Sequence, residues 1–245
     1  GDIWLGTSDD RMWKYDFDED RFLYQPLINS LYPPRFNLTT ALEIDKDNNL
    51  WVGTTDGLIY YEINQEKIAR LTQINGLAGN DISAIHCDSK NRMWVGSGNK
   101  GLTRIVGTDL QVIELEQAYT PVSITSDSKG NIWMGTEGQG VIIYHGKDSV
   151  SYMNVKDGLL SDYITMMDAD YQDNIFIGTN LGLHRYNSQS KKLFTYTEKS
   201  GFTGIEIKDN ASYIDKSGNI WLGTVNGTIK YQTGQEQFNE VEPLT

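Results

Sequence analysis

The chain contains few of the residues that would cross-link it, anchor it in a membrane or give it positive charge. It has one cysteine, five prolines and three histidines among 245 residues. A single cysteine, Cys87, excludes an intramolecular disulfide, and its alternating strand-like surroundings favour a buried, inert thiol over a nucleophile. No apolar run approaches the length of about 18 residues that a transmembrane helix needs. The first residue already lies inside a repeat, so we expect the chain to belong to a longer protein.

Lysine and arginine are outnumbered by acidic residues. There are 21 of the former and 33 aspartates and glutamates, which gives a formal net charge of −12. A field of that sign repels phosphate backbones and anionic lipids, so nucleic acid is not expected as a partner. The apolar and charged fractions, 38% and 22%, are those of an ordinary soluble globular chain.

A short sequence pattern recurs along the whole chain. Its clearest copy is GNIWMGT at residues 130–136, and the aromatic residue at its centre returns at steps of 47, 43, 39, 43 and 45 residues. A steady period of this size indicates a propeller or another repeat array. The six anchor aromatics are Trp4, Trp51, Trp94, Trp133, Phe176 and Trp221.

Each repeat predicts four short strands, A to D, separated by turns rich in Gly, Asn and Asp. The first 24 residues supply only strands B, C and D. We therefore predict an all-β fold: a β-propeller of four-stranded antiparallel blades, six of them visible, the first lacking its inner strand. We expect it to be a fragment of a seven-bladed or larger propeller region. The predicted domain spans residues 1–245, with blade units at about 1–24, 25–74, 75–117, 118–157, 158–199 and 200–245.

An aspartate stands six residues before five of the six anchors, and a residue tolerant of positive φ follows it. This pattern favours a tight turn between strands A and B, in which the carboxylate accepts backbone N–H groups. Calcium binding is the alternative, because residues 45–49 (DKDNN) resemble part of a calcium loop. Leu50 and Asp56 then stand where that loop needs a glycine and a bidentate glutamate, so we favour the turn and predict no metal site.

The recurring aromatic residues are interpreted as core. They alternate with polar positions, so they should pack between neighbouring sheets instead of forming sugar-binding platforms. A glycine two residues after each anchor, such as Gly135, should let a neighbouring group approach closely. A tyrosine near the end of strand C recurs as well. Its members are Tyr15, Tyr61, Tyr144, Tyr186 and Tyr231.

The combined pattern resembles the two-component regulator propeller repeat. The resemblance rests on Asp-x-x-Gly-Asn-Ile-Trp-x-Gly-Thr at residues 127–136 and 215–224, on Gly-Leu-x-x-Tyr at 182–186, and on the linkers at 75–77 and 157–159. It implies a periplasmic propeller in the sensor region of a membrane-anchored hybrid two-component histidine kinase. It also implies a following triple-tyrosine domain, a membrane span and the kinase, with glycans or their breakdown products as the usual cue. The chain lacks a phosphotransfer histidine motif of its own.

No catalytic constellation is evident in the sequence. The three histidines, His86, His145 and His184, lie in different units and at different strand positions, so a shared metal site is not expected. Paired carboxylates could still meet across loops of different blades. A propeller polysaccharide lyase or glycosidase therefore stays open as an alternative, and so does a purely structural scaffold for protein interactions.

Our principal hypothesis is a non-catalytic ligand-sensing propeller. Its predicted site is the rim that carries the D-to-A and B-to-C connections, where loops on a rigid scaffold vary between units. We expect an oligosaccharide or another small ligand, a neighbouring propeller and the triple-tyrosine domain of a parent chain, and a homodimer as partners, with no cofactor. The predicted rim residues are Arg35, Asn37, Asn80, Asp81, Tyr119, Asp162, Tyr163, Phe202, Glu206 and Lys208.

Overall fold

The computed structural model describes residues 2–7, 11–29, 38–115, 117–147, 149–202, 206–232 and 237–241. At residues 27, 29 and 237–241 it describes the backbone alone. The chain divides into two compact units, residues 1–118 and 119–245.

The first unit holds three antiparallel sheets, in which neighbouring strands are consecutive in sequence. The first sheet has three strands and the others have four. A short helix, α1 (Pro26–Asn29), follows the first sheet. The strands are β1 (Trp4–Gly6), β2 (Met12–Asp16), β3 (Arg21–Tyr24), β4 (Thr39–Ile44), β5 (Leu50–Thr54), β6 (Gly57–Glu62), β7 (Lys67–Leu71), β8 (Ile82–Cys87), β9 (Met93–Ser97), β10 (Leu102–Val106) and β11 (Asp109–Ile113).

The second unit holds three four-stranded sheets with the same simple order. Its strands are β12 (Pro121–Ser126), β13 (Ile132–Thr136), β14 (Val141–Gly146), β15 (Ser149–Met153), β16 (Ile164–Ala169), β17 (Asn174–Thr179), β18 (Gly182–Asn187), β19 (Lys192–Tyr196), β20 (Ile207–Ile214), β21 (Ile220–Thr224), β22 (Gly227–Gln232) and β23 (Gln237–Val241). Single 3₁₀ turns in the two units lie at Gln73–Asn75, Gly98–Lys100, Val155–Asp157 and Glu198–Ser200.

These sheets are the blades of a β-propeller, numbered one to six in chain order. The predicted all-β fold with four-stranded antiparallel blades is confirmed, and blade one has the predicted three strands, corresponding to B, C and D. Within the described ranges, no helix has both the length and the apolar character needed to cross a bilayer.

The aspartate turn between strands A and B has the predicted structure. In blade four, one carboxylate oxygen of Asp127 accepts the backbone N–H groups of Lys129 and Asn131, at 3.0 and 2.9 Å. Gly130 between them has φ of +83°, in the left-handed region that the turn requires. The same pair of backbone bonds forms at Asp45, Asp88, Asp170 and Asp215.

The second oxygen of this aspartate has a role that the repeat pattern did not reveal. It accepts the indole N–H of the anchor tryptophan six residues later, at 3.1 Å between Trp133 Nε1 and Asp127 Oδ2. The same bond joins Trp51 to Asp45, Trp94 to Asp88 and Trp221 to Asp215. One carboxylate therefore holds both the turn and the orientation of the anchor ring.

Most of the anchor rings are buried. Trp51, Trp94, Trp133 and Phe176 are all less than 9% exposed, whereas Trp4 and Trp221 are half-buried. Among the described residues, apolar clusters lie between blades one and two, two and three, four and five, and five and six.

The close approach predicted at the glycine after each anchor is also present. A Cβ added at Gly135 would stand 2.5 Å from Cγ2 of Ile164, which lies in the next blade. At Gly53 the corresponding distance, to Cγ2 of Ile82, would be 2.9 Å.

Candidate ligand-binding site

The B-to-C turns and the D-to-A connections meet at one end of the blades, which we call the rim. In the first unit the N–H of Gly57, in the B-to-C turn of blade two, donates to the carbonyl of Asn80 at 2.6 Å. In the second unit the N–H groups of Gly138 and Gly140 donate to the carbonyl of Asp162, at 3.2 and 2.8 Å. These bonds fix the loops that carry the predicted site residues.

In the first unit, the rim holds two of the predicted residues. The amide oxygen of Asn80 accepts the N–H of Gln73 at 2.8 Å, so this side chain supports its own loop. Asp81 is exposed beside the B-to-C turn of blade three. Arg35 and Asn37 lie outside the described residues.

In the second unit, Asp162 and Tyr163 form the best-defined part of the rim. The carboxylate of Asp162 accepts the N–H of Val155 at 2.9 Å, and Ser161 Oγ accepts the N–H of Tyr163 at 3.1 Å. The ring of Tyr163 lies over the turn glycine Gly138 and is 57% exposed. Tyr163 also forms an isolated backbone bridge with Glu137, whose side chain is exposed. The rim therefore presents an exposed aromatic ring on a residue that adjoins Asp162 in the chain and Glu137 across the bridge.

The other predicted residues of the second unit differ in accessibility. Tyr119 is 4% exposed and packs against Tyr152, with ring centroids 6.3 Å apart. Phe202 is fully buried in the apolar cluster between blades five and six. Glu206 and Lys208 are exposed and form an ion pair at 3.5 Å. Ligand contact remains a prediction for these residues.

Two buried polar side chains hold the D-to-A linkers, a role that the sequence did not indicate. Thr103 Oγ1 accepts the N–H of Ala78 at 2.9 Å, and His184 Nε2 accepts the N–H of Leu160 at the same distance. Burial lowers the pKa of His184 to about 4, so its ring is neutral at pH 7 and Nε2 is free to accept. His184 therefore positions a rim loop.

The turn aspartates have little capacity left for a metal ion. Their oxygens accept the backbone and indole N–H groups described above, and in blade five Asp170 accepts the Asn174 amide at 2.7 Å. Within the described ranges, no group of three or more His, Cys, Asp or Glu side chains could hold a metal ion.

Known proteins resemble this chain in sequence and in structure. The family model "Two component regulator propeller" matches residues 35–56 and 76–99. Histidine kinase P4 of Formosa agariphila is 24% identical over an alignment that covers 98% of this chain and 19% of that protein. The extracellular domain of the hybrid two-component system BT3049 from B. thetaiotaomicron is 22% identical, with a TM-score of 0.80 over 96% of this chain and 32% of that one.

An enzyme shares the fold as well. Virginiamycin B lyase from Staphylococcus aureus has a TM-score of 0.79 at 12% identity, over 100% of this chain and 82% of that one. This likeness concerns the fold alone.

The repeat, the turn geometry and these likenesses define a β-propeller. Two segments of the first unit match the two-component regulator propeller repeat. The chain spans 19% of the histidine kinase and 32% of the extracellular domain that it resembles, so both relatives are much longer.

Proposed function

We propose that the chain is a ligand-sensing propeller from the extracytoplasmic part of a hybrid two-component histidine kinase. The likeness to an extracellular domain of such a system and to a histidine kinase supports this proposal. In the parent protein the propeller would lie in the periplasm, next to another propeller and a triple-tyrosine domain, and would act in a homodimer. Ligand binding would shift the kinase between states by its different affinity for each.

The proposed cue is an oligosaccharide bound at the rim of the second unit. The observation that carries this proposal is the exposed Tyr163 ring, held in place by Gly138 and Ser161 and set beside Glu137. An aromatic face suits the apolar face of a sugar ring, and neighbouring carboxylates can accept its hydroxyl protons.

We propose binding without turnover. The rim carboxylate of Asp162 already accepts the N–H of Val155. The buried His184 is committed to a linker N–H and to Thr195 Oγ1, at 2.9 and 3.0 Å, and so cannot also serve a substrate. These groups hold loops in position and leave a preformed surface for recognition.

The test compares two exposed tyrosines that flank strand β16. Tyr163 lies at its rim end and Tyr171, 81% exposed, follows its other end. We expect Tyr163→Ala to weaken binding of the best ligand in a panel of neutral and acidic oligosaccharides by about three- to tenfold, and Tyr171→Ala to leave it unchanged. Isothermal titration calorimetry measures the affinity, and chromatography of the same mixtures detects products.

Three results would contradict the proposal. If Tyr171→Ala weakens binding as much as Tyr163→Ala does, the rim assignment fails. If no oligosaccharide of the panel binds, the proposed cue fails. Cleavage of the bound oligosaccharide would replace sensing with the lyase or glycosidase alternative.

A further inference from the structure

Pairs of neighbouring blades pack through the anchor aromatic of one blade and the strand C tyrosine of the next. The ring centroids of Trp133 and Tyr186 are 5.3 Å apart, and those of Phe176 and Tyr231 are 5.7 Å apart. In the first unit, Trp4 and Tyr61 make the same contact at 6.3 Å. This tyrosine always pairs, across the sheet, with the residue before its own blade's anchor.

Blade three lacks this tyrosine. The residue in the same register, paired with Met93, is Ile105, and it lies in the apolar cluster beside Trp51 of blade two. The following hairpin turn is also short, because only Gly107 and Thr108 separate the paired residues Val106 and Asp109. A cavity of about 410 Å³ lies at this place, within the size range of small-molecule sites.

The cavity has an aromatic and apolar wall. Trp51 and Tyr60 form a tilted pair with centroids 4.5 Å apart, and Leu71, Met93 and Leu110 also line the space. A flat apolar body could lie against this wall, because removing both surfaces from water is favourable.

The polar lining is acidic. Asp45, Asp47 and Glu62 contribute to it, and no lysine or arginine does. Burial raises the pKa of the Tyr60 hydroxyl, and the charges of Glu62, Asp45 and Asp47 raise it further, in that order. The three carboxylates therefore act together on the space beside the Tyr60 ring.

Glu62 and one oxygen of Asp47 can pair with a ligand, and the second Asp47 oxygen already accepts the side-chain amide of Asn91 at 2.7 Å. Both oxygens of Asp45 already accept backbone, amide and indole protons. In the part of the chain that the structure describes, neither Asp47 nor Glu62 forms a salt bridge. The two lysines beside them direct their ammonium groups elsewhere, Lys46 to the Ser89 carbonyl at 2.5 Å and Lys67 to Gln65 Oε1 at 2.7 Å.

We propose that this cavity between blades two and three binds an organic cation, an amine carried on a flat aromatic body. The aromatic body packs against Trp51 and Tyr60, and the ammonium group pairs with Glu62 and Asp47. A cation near the Trp51 and Tyr60 rings gains from their π faces as well. The site is independent of the rim site proposed above.

The probe is tryptamine, compared with its neutral analogue tryptophol and the anion indole-3-propionate. We expect tryptamine to bind in calorimetry at low salt and the two analogues to bind more weakly. An ion pair between the ammonium group and Glu62 should be as weak as other ion pairs at a protein surface. We therefore expect Glu62→Gln to weaken tryptamine binding by about two- to fivefold.

The repeat itself supplies the variant that fills the cavity. Ile105→Tyr installs the ring that the other blades have, and we expect it to abolish tryptamine binding. Ile105→Leu keeps the volume of the side chain and should keep the affinity. Tyr163→Ala, at the rim, should also leave tryptamine binding unchanged, which separates this site from the rim site.

Cys87 lines the cavity and is the chain's single cysteine, and burial raises the pKa of its thiol to about 11, so its alkylation by N-ethylmaleimide should be slow in the free protein. Tryptamine should slow this alkylation further, as followed by mass spectrometry, and tryptophol should slow it less. Any of three results would overturn the proposal: no binding of tryptamine, equal binding of tryptamine and tryptophol, or undiminished binding to the folded Ile105→Tyr variant.

Discussion

Two spaces between blades, built from the same repeat, differ in how they are filled. Between blades four and five, Trp133 meets Tyr186 within an apolar cluster. Between blades two and three, Trp51 meets Ile105, and a cavity lies beside the anchor. Both anchors keep the hydrogen bond from their indole to the turn aspartate.

This difference separates two tasks of the repeat. The aspartate turn and its hydrogen bond to the anchor indole form within one blade, so each blade can make them independently of its neighbours. The strand C tyrosine acts between blades, so its replacement alters the packing without disturbing either sheet. A repeat protein can therefore acquire a binding cavity between two neighbouring blades while both of those blades keep their regular strands and turns.

The largest expected effect comes from removing Trp133, the buried anchor ring that meets Tyr186. Trp133→Ala should lower the free energy of unfolding by about 3–5 kcal/mol, because it leaves a cavity in dense packing. Trp51→Ala should cost less, because its ring already borders open space. Urea denaturation followed by circular dichroism measures both, and equal losses would contradict the comparison.

The next effect concerns Asp168, which is half-buried and accepts a hydrogen bond from Ser212 Oγ of the next blade at 3.3 Å. Burial raises the pKa of its carboxyl from 3.8 to about 6. The folded state therefore binds more protons than the unfolded state between about pH 4 and pH 6, and this group's contribution to stability falls as pH rises through that window.

Replacing Asp168 should remove this dependence. Asp168→Asn should match the natural chain below about pH 4 and exceed its stability by about 2–3 kcal/mol above pH 6. The comparison must be made between variants, since burial also lowers the pKa values of His86 and His184 to about 4 and acts in the opposite direction. Urea titrations at a series of pH values measure the difference in the free energy of unfolding between the two chains. A difference that does not change with pH would refute the prediction.

A smaller effect is expected at the glycine after each anchor. Gly135→Ala would bring a Cβ to 2.5 Å from Ile164 and close to Met167, so it should cost about 1–3 kcal/mol through overpacking. Gly53→Ala meets Ile82 at 2.9 Å and should cost less. Thermal unfolding of the pair measures this difference. If Gly53→Ala destabilises the chain more than Gly135→Ala does, the space between blades two and three tolerates an added methyl group less well.

The smallest expected effect is a gain in stability. Ile105→Tyr should close the space between blades two and three and stabilise the chain by about 0.5–2 kcal/mol, as cavity-filling changes commonly do. The control is Ile105→Leu, which should be near neutral. If Ile105→Tyr destabilises the chain, the cavity cannot accommodate the tyrosine ring. The space between blades two and three would then differ from that between blades four and five in more than one residue.

Several features of the fold were predictable from local pattern. The strands alternate, the turn aspartate is followed by Asn48, Gly130 or an equivalent residue with positive φ, and the anchors recur at a fixed period. The Gly-Leu pattern indicates the linkers, but it does not indicate their 3₁₀ turns or their capping side chains, such as Asn154 and Asp157. Such turns depend on hydrogen bonds between residues two to three apart, which no hydrophobic period reveals.

The site was less predictable. The rim loops were identified, yet sequence could not distinguish the exposed Tyr163 from the buried Phe202, because both stand in variable segments between strands. The linker-holding role of His184 was also hidden, since its partner Leu160 is 24 residues away and offers only a backbone N–H.

By itself, the sequence determined the blade: its strands, its aspartate turn and its aromatic anchor all follow from residues close together in the chain. Only the tertiary structure decided which spaces between neighbouring blades are filled by side chains, which aromatic rings of the rim face solvent and where the acidic cavity lies. The physical reason is that burial and cavity volume depend on side chains about 40 residues apart, one repeat away, whose meeting is set by how one sheet packs on the next.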